Sequence, residues 1–554
     1  MPFGKIISHT LRVLLLAATW IAAPVGPALA QHHDPMPDVG TQKFGEVHFP
    51  ISCRKETQAQ FERAVAMLHS FFWPATIKAF TAITESDPYC AMGWWGLAIS
   101  QRPNPLVPPF PAEALRRGWE AIERAQAVPS QTQRERDWIA ALANFFRDND
   151  KVDQRTRTLA YEAAMARLAE KYPDDAEAQI FYALALNEAV DLSDKTYARQ
   201  LKAAAILERL EPQMPNHPGI AHYLIHSYDY PPLAERGLPA ARHYAAIAPS
   251  APHALHMPSH IFSTLGLWQE AIPCDLAADT LNVEYFSKTD PRFAANPAMI
   301  PRRYHSIDFL VNAYMQTAQD QKASRLLDQF RPITEPVPMF YSMHTGFAAA
   351  FVRYDFDRNA WAEAAALPIL ITPYPQAEAI NRFGRAVGAA RSGDVVKAKA
   401  EIEQLRLITG KLAEVQDAYW AEQVEIQEIA ASAWVALAEG RRDDAVRLMR
   451  QAADLEDRTE KHIAMENRLS PMREMLGEML LETGDPKAAL DAFEVSLKNA
   501  PNRYRSIAGA AKAAESAGDR EEAKQWNQRL LDLTKGADTE RPEMAGARRF
   551  LASN

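Results

Sequence analysis

The sequence predicts an all-α chain of stacked helical hairpins, and three observations carry that expectation. A glycine followed five residues later by an alanine recurs as Gly266/Ala271, Gly393/Ala398, Gly440/Ala445, Gly484/Ala489 and Gly518/Ala523. Glycine there ends one helix in a tight turn, and the small alanine lets the next helix pack closely. Proline follows the second helix of several units, at Pro88, Pro173, Pro215, Pro249 and Pro501, where it stops the helix and opens the next turn. The spacing is often 34 residues, as from Pro215 to Pro249 and from Gly484 to Gly518.

Units with this pattern fall near 57–90, 218–251, 252–285, 304–337, 379–412, 426–459, 470–503 and 504–537, with degenerate ones near 91–210 and 344–370. The length of the unit and its small-residue positions resemble the tetratricopeptide repeat over most of the chain. The resemblance implies a right-handed α-solenoid of roughly ten to twelve helical pairs, whose first helices line a concave groove where ligands bind. It says almost nothing about function. Divided accordingly, the chain has residues 1–30, an N-terminal extension 31–56, hairpins over 57–217, histidine-rich units over 218–343 and a C-terminal array over 344–554. Two proline-rich stretches interrupt the array. Residues 104–111 cannot be helix and are expected to loop over one face, and 286–303 reads as an insertion, either a lid over the groove or a passive linker.

The first thirty residues read as a secretory signal. Lys5 and Arg12 precede the apolar run 13–23, and Ala28-Leu29-Ala30 offers a small-residue cleavage site. A retained anchor is the alternative, although the run is short for a membrane span, and no later segment is apolar for long enough to cross one. A periplasmic or secreted location follows as the expectation. Export would favour a disulfide between Cys53 and Cys90, which flank the first hairpin, whereas Cys274 falls inside a helix. Cleavage after Ala30 would also leave Gln31-His32-His33 at a free amine, a weak Cu(II) or Ni(II) chelator. With 61 Lys and Arg against 70 Asp and Glu and no basic stretch, nucleic acid is not an expected partner.

Seven of the fifteen histidines lie between His217 and His260. His222 and His256 are 34 residues apart, and so are His226 and His260, so both pairs hold the fifth and ninth places of consecutive first helices. The resemblance implies that these places face the groove. His253 holds the second place of its helix and shares a face with His256 and His260. The next unit carries His305, Asp308 and Asn312 at its second, fifth and ninth places, and Asp229 lies just beyond His226. His217 and His243 fall off the stripe and read as surface or packing residues.

Neutral imidazole is the commonest transition-metal ligand, so His222, His226, His253, His256, His260 and His305 are candidate ligands for a divalent Zn, Cu, Fe or Ni ion. Asp229 or Asp308 could complete the shell, orient an imidazole or act as a general base. Tyr223, Tyr228 and Asn312 could position a substrate. Three readings follow: a groove binding a peptide or small molecule through a histidine-held metal, a metal-dependent hydrolase or oxidase at the same cluster, and a metal-free scaffold docking an envelope protein. Repeat duplication would copy a histidine pair with or without a ligand. The sequence lacks H-E-x-x-H, G-x-S-x-G, phosphate-loop and dinucleotide motifs. The basic stretch 501–505 reads as a solvated turn.

Overall fold

Helix termini in this chain are set by side-chain caps and by prolines in the first turn. Thr132 and Glu135 form a reciprocal capping box at the start of Gln133–Phe146; Asp153, Asp175, Asp394, Asp417, Asp485 and Asp519 each accept from a backbone N–H in the first turn of the helix that follows. Proline opens Pro218–Tyr228, Pro252–His256, Pro301–Gln316 and Pro375–Arg391, where its missing N–H costs nothing. A computed structural model describes residues 42–102, 104–129, 132–463 and 465–553. The secretory-signal reading of 1–30 and the histidines at 32 and 33 lie outside the described residues.

Among the described residues every long element is a helix and none is a strand. The helices pair in sequence order into twelve hairpins, from Thr57–His69 with Trp73–Ser86 to Tyr504–Ala517 with Arg520–Leu533, and Pro542–Ala552 ends the array. The fold is an all-α solenoid of tetratricopeptide-type hairpins. The turn glycines Gly266, Gly393, Gly440, Gly484 and Gly518 all have positive φ, the left-handed conformation that side chains resist. Cys53 and Cys90 are bonded, with Cα atoms 4.9 Å apart, and Cys274 is a free, half-buried thiol.

The array does not remain an open groove. Its C-terminal hairpins return to the turns of the middle ones: Trp268 Nε1 donates to the Asn502 carbonyl at 2.8 Å, Tyr504 N donates to Gln316 Oε1 at 2.8 Å, and Arg541 pairs with Asp320. The described residues of the connection 457–471 are non-helical and enter the concave side. Glu460 N donates to the Leu192 carbonyl, Lys461 Nζ reaches Asp229 Oδ2 at 2.7 Å, and the fully buried Arg353 donates to the carbonyls of Asn467, Arg468 and Leu469. The sequence assigns 460–469 to no repeat, and this strap is what it contains.

Two expectations change. Residues 286–303 are mostly helical, running from the end of Trp268–Thr289 through Pro291–Ala295 and Pro297–Met299 to Pro301–Gln316, with Phe286, Phe293 and Ile300 packed together. The stretch 501–505 is not solvated: Arg503 is 2% exposed and bonds Glu474 and Asp357, and Arg505 bonds Glu478. Of the two readings of His217, packing holds: it is buried and caps Pro218–Tyr228, accepting from Gly219 N.

The closure gives one glycine two duties. A Cβ on Gly266 would sit 2.2 Å from the Pro501 carbonyl oxygen, whereas one on Gly440 would meet nothing within 4 Å. Gly440→Ala is therefore expected to cost about 1–2 kcal/mol for its φ alone. Gly266→Ala should cost visibly more because it also pries the C-terminal hairpins away. Equal shifts in the urea midpoint for the two variants would contradict the observed closure.

Candidate metal centre

The six candidate histidines come from three successive first helices. Pro218–Tyr228 supplies His222 and His226; Pro252–His256 and Pro258–Thr264, separated at Met257 because Pro258 cannot donate, supply His253, His256 and His260; Pro301–Gln316 supplies His305. They gather as two trios, His222/His226/His253 and His256/His260/His305, each with one ligand atom per residue within 4.8 Å of the others. His253 thus faces the preceding helix rather than joining His256 and His260, although all three share a stripe in sequence. Phe71, at the turn of the first hairpin, lies against His222, His226 and His253 with ring centroids 4.4–6.1 Å away. Phe309 lies in the same way against His256, His260 and His305 at 4.6–5.1 Å.

Hydrogen bonding fixes which ring nitrogens are bare. His222 Nδ1 is 2.6 Å from the His69 carbonyl oxygen. A carbonyl only accepts, so Nδ1 carries the hydrogen and Nε2 of the neutral ring carries a lone pair. That Nε2 lies 3.0 Å from His226 Nε2 and 3.2 Å from His253 Nε2. In the second trio His260 Nδ1 donates at 2.9 Å to Asp229 Oδ2, a carboxylate that also accepts from Lys461 and Thr264. His260 Nε2 is therefore bare as well, and it lies 3.1 Å from His256 Nε2. His256 Nδ1 meets Asp275 Oδ1 at 2.5 Å. Nitrogens about 3.3 Å apart are what bonds of roughly 2.0–2.1 Å to one tetrahedral ion require, and carboxylate or carbonyl partners on Nδ1 are the usual outer support of such ligands.

Burial keeps these rings neutral. It lowers His222 and His256 to about 3 and holds His226, His253, His260 and His305 well below the usual imidazole value. Neighbouring imidazoles and cations add to the effect for these four. Burial raises Asp229 to about 6 against the pull of Lys461, and raises Asp275 strongly. His226 Nδ1, Asp275 Oδ2 and Arg302 Nε are buried without a hydrogen-bond partner among the described residues.

A small cavity adjoins both trios. His226, His253, His260, His305 and Arg302 line it, with walls from Phe71, Trp73, Met343, Phe340 and Ile463, and Asn104 and Leu106 reach it from the proline-rich 104–111 loop. Arg302 has no ion pair among the described residues, and burial lowers its pKa to about 10.

The other sequence candidates lie elsewhere. Asp308 is bound to Arg353 at 2.8 Å, away from the imidazoles. Asn312 accepts from Gln316. Tyr223 OH meets His69 Nδ1 at 2.9 Å, and Tyr228 OH binds Glu208; none of the three lines the cavity. Sequence reasoning missed Asp275, Arg302, Lys461 and the His69 carbonyl. His69 and His217 form a separate buried cluster around Glu177, at 3.0 and 2.8 Å. Burial pushes Glu177 up, but the two imidazoles outweigh it and bring it to about 2. There each facing nitrogen has a carboxylate, and no bare nitrogens converge.

Fold and site together define a helical-repeat solenoid with a histidine-lined cavity. No protein-family model matches the chain, and no curated protein matches it. Among solved structures, the crystal structure of the P58(IPK) TPR domain is 14% identical, covering 68% of this chain and 99% of that one, with a TM-score of 0.22. The fold class rests on the hairpins themselves.

The neutral rings give a pH signature. Three imidazoles of ordinary pKa, about 6.5, would lose roughly fiftyfold in apparent metal affinity between about pH 7.5 and 6.0 as they protonate. Here the folded values are already depressed, so the rings stay neutral across that range. Zn(II) affinity measured by competition with a chromophoric chelator should fall less than about threefold; a loss near fiftyfold would contradict the buried, neutral geometry.

Proposed function

We propose that this protein binds a small anionic ligand at a transition-metal centre held by His222, His226, His253, His256, His260 and His305. The observation that carries the reading is the convergence of Nε2 atoms at 3.0–3.2 Å around the bare nitrogens of His222 and His260. Lone pairs that close repel unless a proton or a cation lies among them. An all-nitrogen set favours Zn or Cu over Mg, Ca or Mn, and three protein ligands leave a position open. A bound ion of this kind would supply Lewis acidity toward whatever shares the cavity.

The chain's own residues do the rest. Asp229, Asp275 and the His69 carbonyl hold the imidazoles in orientation. Phe71, Trp73, Leu106 and Met343 keep water scarce. Arg302, a cation without a counter-ion beside a cationic centre, calls for a negatively charged ligand. Support for an extracytoplasmic location comes from the signal-like residues 1–30 and the Cys53–Cys90 bond. Hydrolysis with Asp229 or Asp308 as base has less support, since Asp229 already accepts from three donors and Asp308 is held by Arg353. Helical-repeat folds of this type are surfaces for protein or peptide docking. Near the histidines, however, the 457–471 strap occupies the place an extended peptide would take.

Metal analysis of the purified protein beside His256→Ala/His260→Ala tests the first part: the double variant should lose metal that the parent retains, and identical metal content would sink the reading. For the ligand, acetate titrated into Co(II)-loaded protein should perturb the visible bands. Arg302→Gln should weaken that response about tenfold or more while leaving Co(II) uptake unchanged.

A further inference from the structure

The repeat that generates the site generates it twice. His222 and His226 hold the fifth and ninth places of one first helix, and the third member of their trio, His253, holds the second place of the next. One repeat later the same rule applies: His256 and His260 hold the fifth and ninth places, and His305 holds the second place of the helix beyond. Each trio has its own aromatic backing, Phe71 for the first and Phe309 for the second. Each also has its own Nδ1 anchor, the His69 carbonyl for the first and Asp229 and Asp275 for the second. The rule then stops. In the third helix the fifth and ninth places are Asp308 and Asn312, which turn to Arg353 and Gln316.

We infer that the centre is a two-ion site, one ion in each trio, related by a single repeat step and opening onto one shared cavity. The inference rests on the metal reading above and extends it. Bonds of roughly 2.0–2.1 Å let one ion reach nitrogens no more than about 4 Å apart; the Nε2 of His222 lies 3.0 and 3.2 Å from those of His226 and His253, and those of His256 and His260 are 3.1 Å apart, with His305 inside the 4.8 Å span of its trio. The grouping rests on the ligand atoms, which fall into two sets each within 4.8 Å, His222/His226/His253 and His256/His260/His305; the ring centroids themselves run continuously through both sets, with His226 and His260 6.1 Å apart and His253 and His256 5.9 Å apart. His226 and His253 of the first trio and His260 and His305 of the second border the same cavity beside Arg302. A small carboxylate or other oxyanion held there would face both ions and the guanidinium at once, which gives the unpaired Arg302 its counter-charge.

The purified protein, stripped with a chelator and dialysed against Zn(II), provides the test. The wild-type protein should retain two zinc ions per chain. His253→Gln and His305→Gln change the second-place residue of each trio, the members closest to the rim, and each should retain one; the double variant should retain none at the same affinity. Circular dichroism and thermal midpoints establish that the variants stay folded. Should either variant prove unfolded, Co(II) titration of the wild-type protein serves instead, with a visible-band endpoint at two equivalents expected. A wild-type endpoint at one equivalent, or loss of all zinc on changing either trio alone, would overturn the two-ion inference while leaving a metal centre in place. No zinc or cobalt bound by the wild-type protein would overturn the metal reading itself.

Discussion

The hydrogen bond from His222 Nδ1 to the His69 carbonyl, at 2.6 Å, is the constraint from which the rest of the site follows. It joins the turn of the first hairpin to the fifth hairpin, so it can form only when the chain brings Thr57–His69 against Pro218–Tyr228. Once formed, it fixes the tautomer of a fully buried imidazole and points a bare nitrogen at two others. Asp229 does the same for His260, and Asp229 is in turn fixed by Lys461 from the strap. The polarity of the centre is thus set by groups from three distant parts of the chain. Each converts fold closure into ring orientation.

The energetics are those of a site that waits for something. Burying six imidazoles keeps them neutral and sets nitrogen against nitrogen, so each close Nε2 pair is held either by the N–H of one ring donating to the bare nitrogen of the other or by a shared cation. The His69/Glu177/His217 cluster, a few ångströms away in the same fold, displays the satisfied alternative, with a carboxylate between two imidazoles. Contrast between these clusters separates histidines that lock hairpins together from histidines that converge on a space. Arg302 belongs with the second group, since its guanidinium has a cavity to face and no carboxylate among the described residues to meet.

Much of this was legible in the sequence because repeats write geometry as periodicity. The 34-residue spacing and the turn glycines identified the hairpins, and the repetition of His222/His226 as His256/His260 identified the groove-facing stripe. His305 was legible from its place in the next unit. The assignment of His253 to the earlier pair was not, since three residues on one helical face do not reveal which neighbour each will meet. Asp275 sits on a second helix and reaches its histidine from behind, outside the stripe. The His69 carbonyl is backbone and has no residue signature at all. The strap was hidden for another reason: residues 457–471 contact Asp229 and Arg353 across more than a hundred residues of sequence, and such pairings leave no local pattern. Arg302 had a readable signal, a charge in the first turn of a groove helix, but the insertion reading of 286–303 places it outside the repeats.

X-ray absorption at the zinc edge of the metal-loaded protein tests the central claim most directly, because it reports the donor atoms themselves. The account predicts a first shell dominated by imidazole nitrogens at about 2.0–2.1 Å, with the multiple scattering that ordered rings produce. A shell made of oxygen donors without ring scattering would contradict it, and would leave the converging histidines as part of the packing alone.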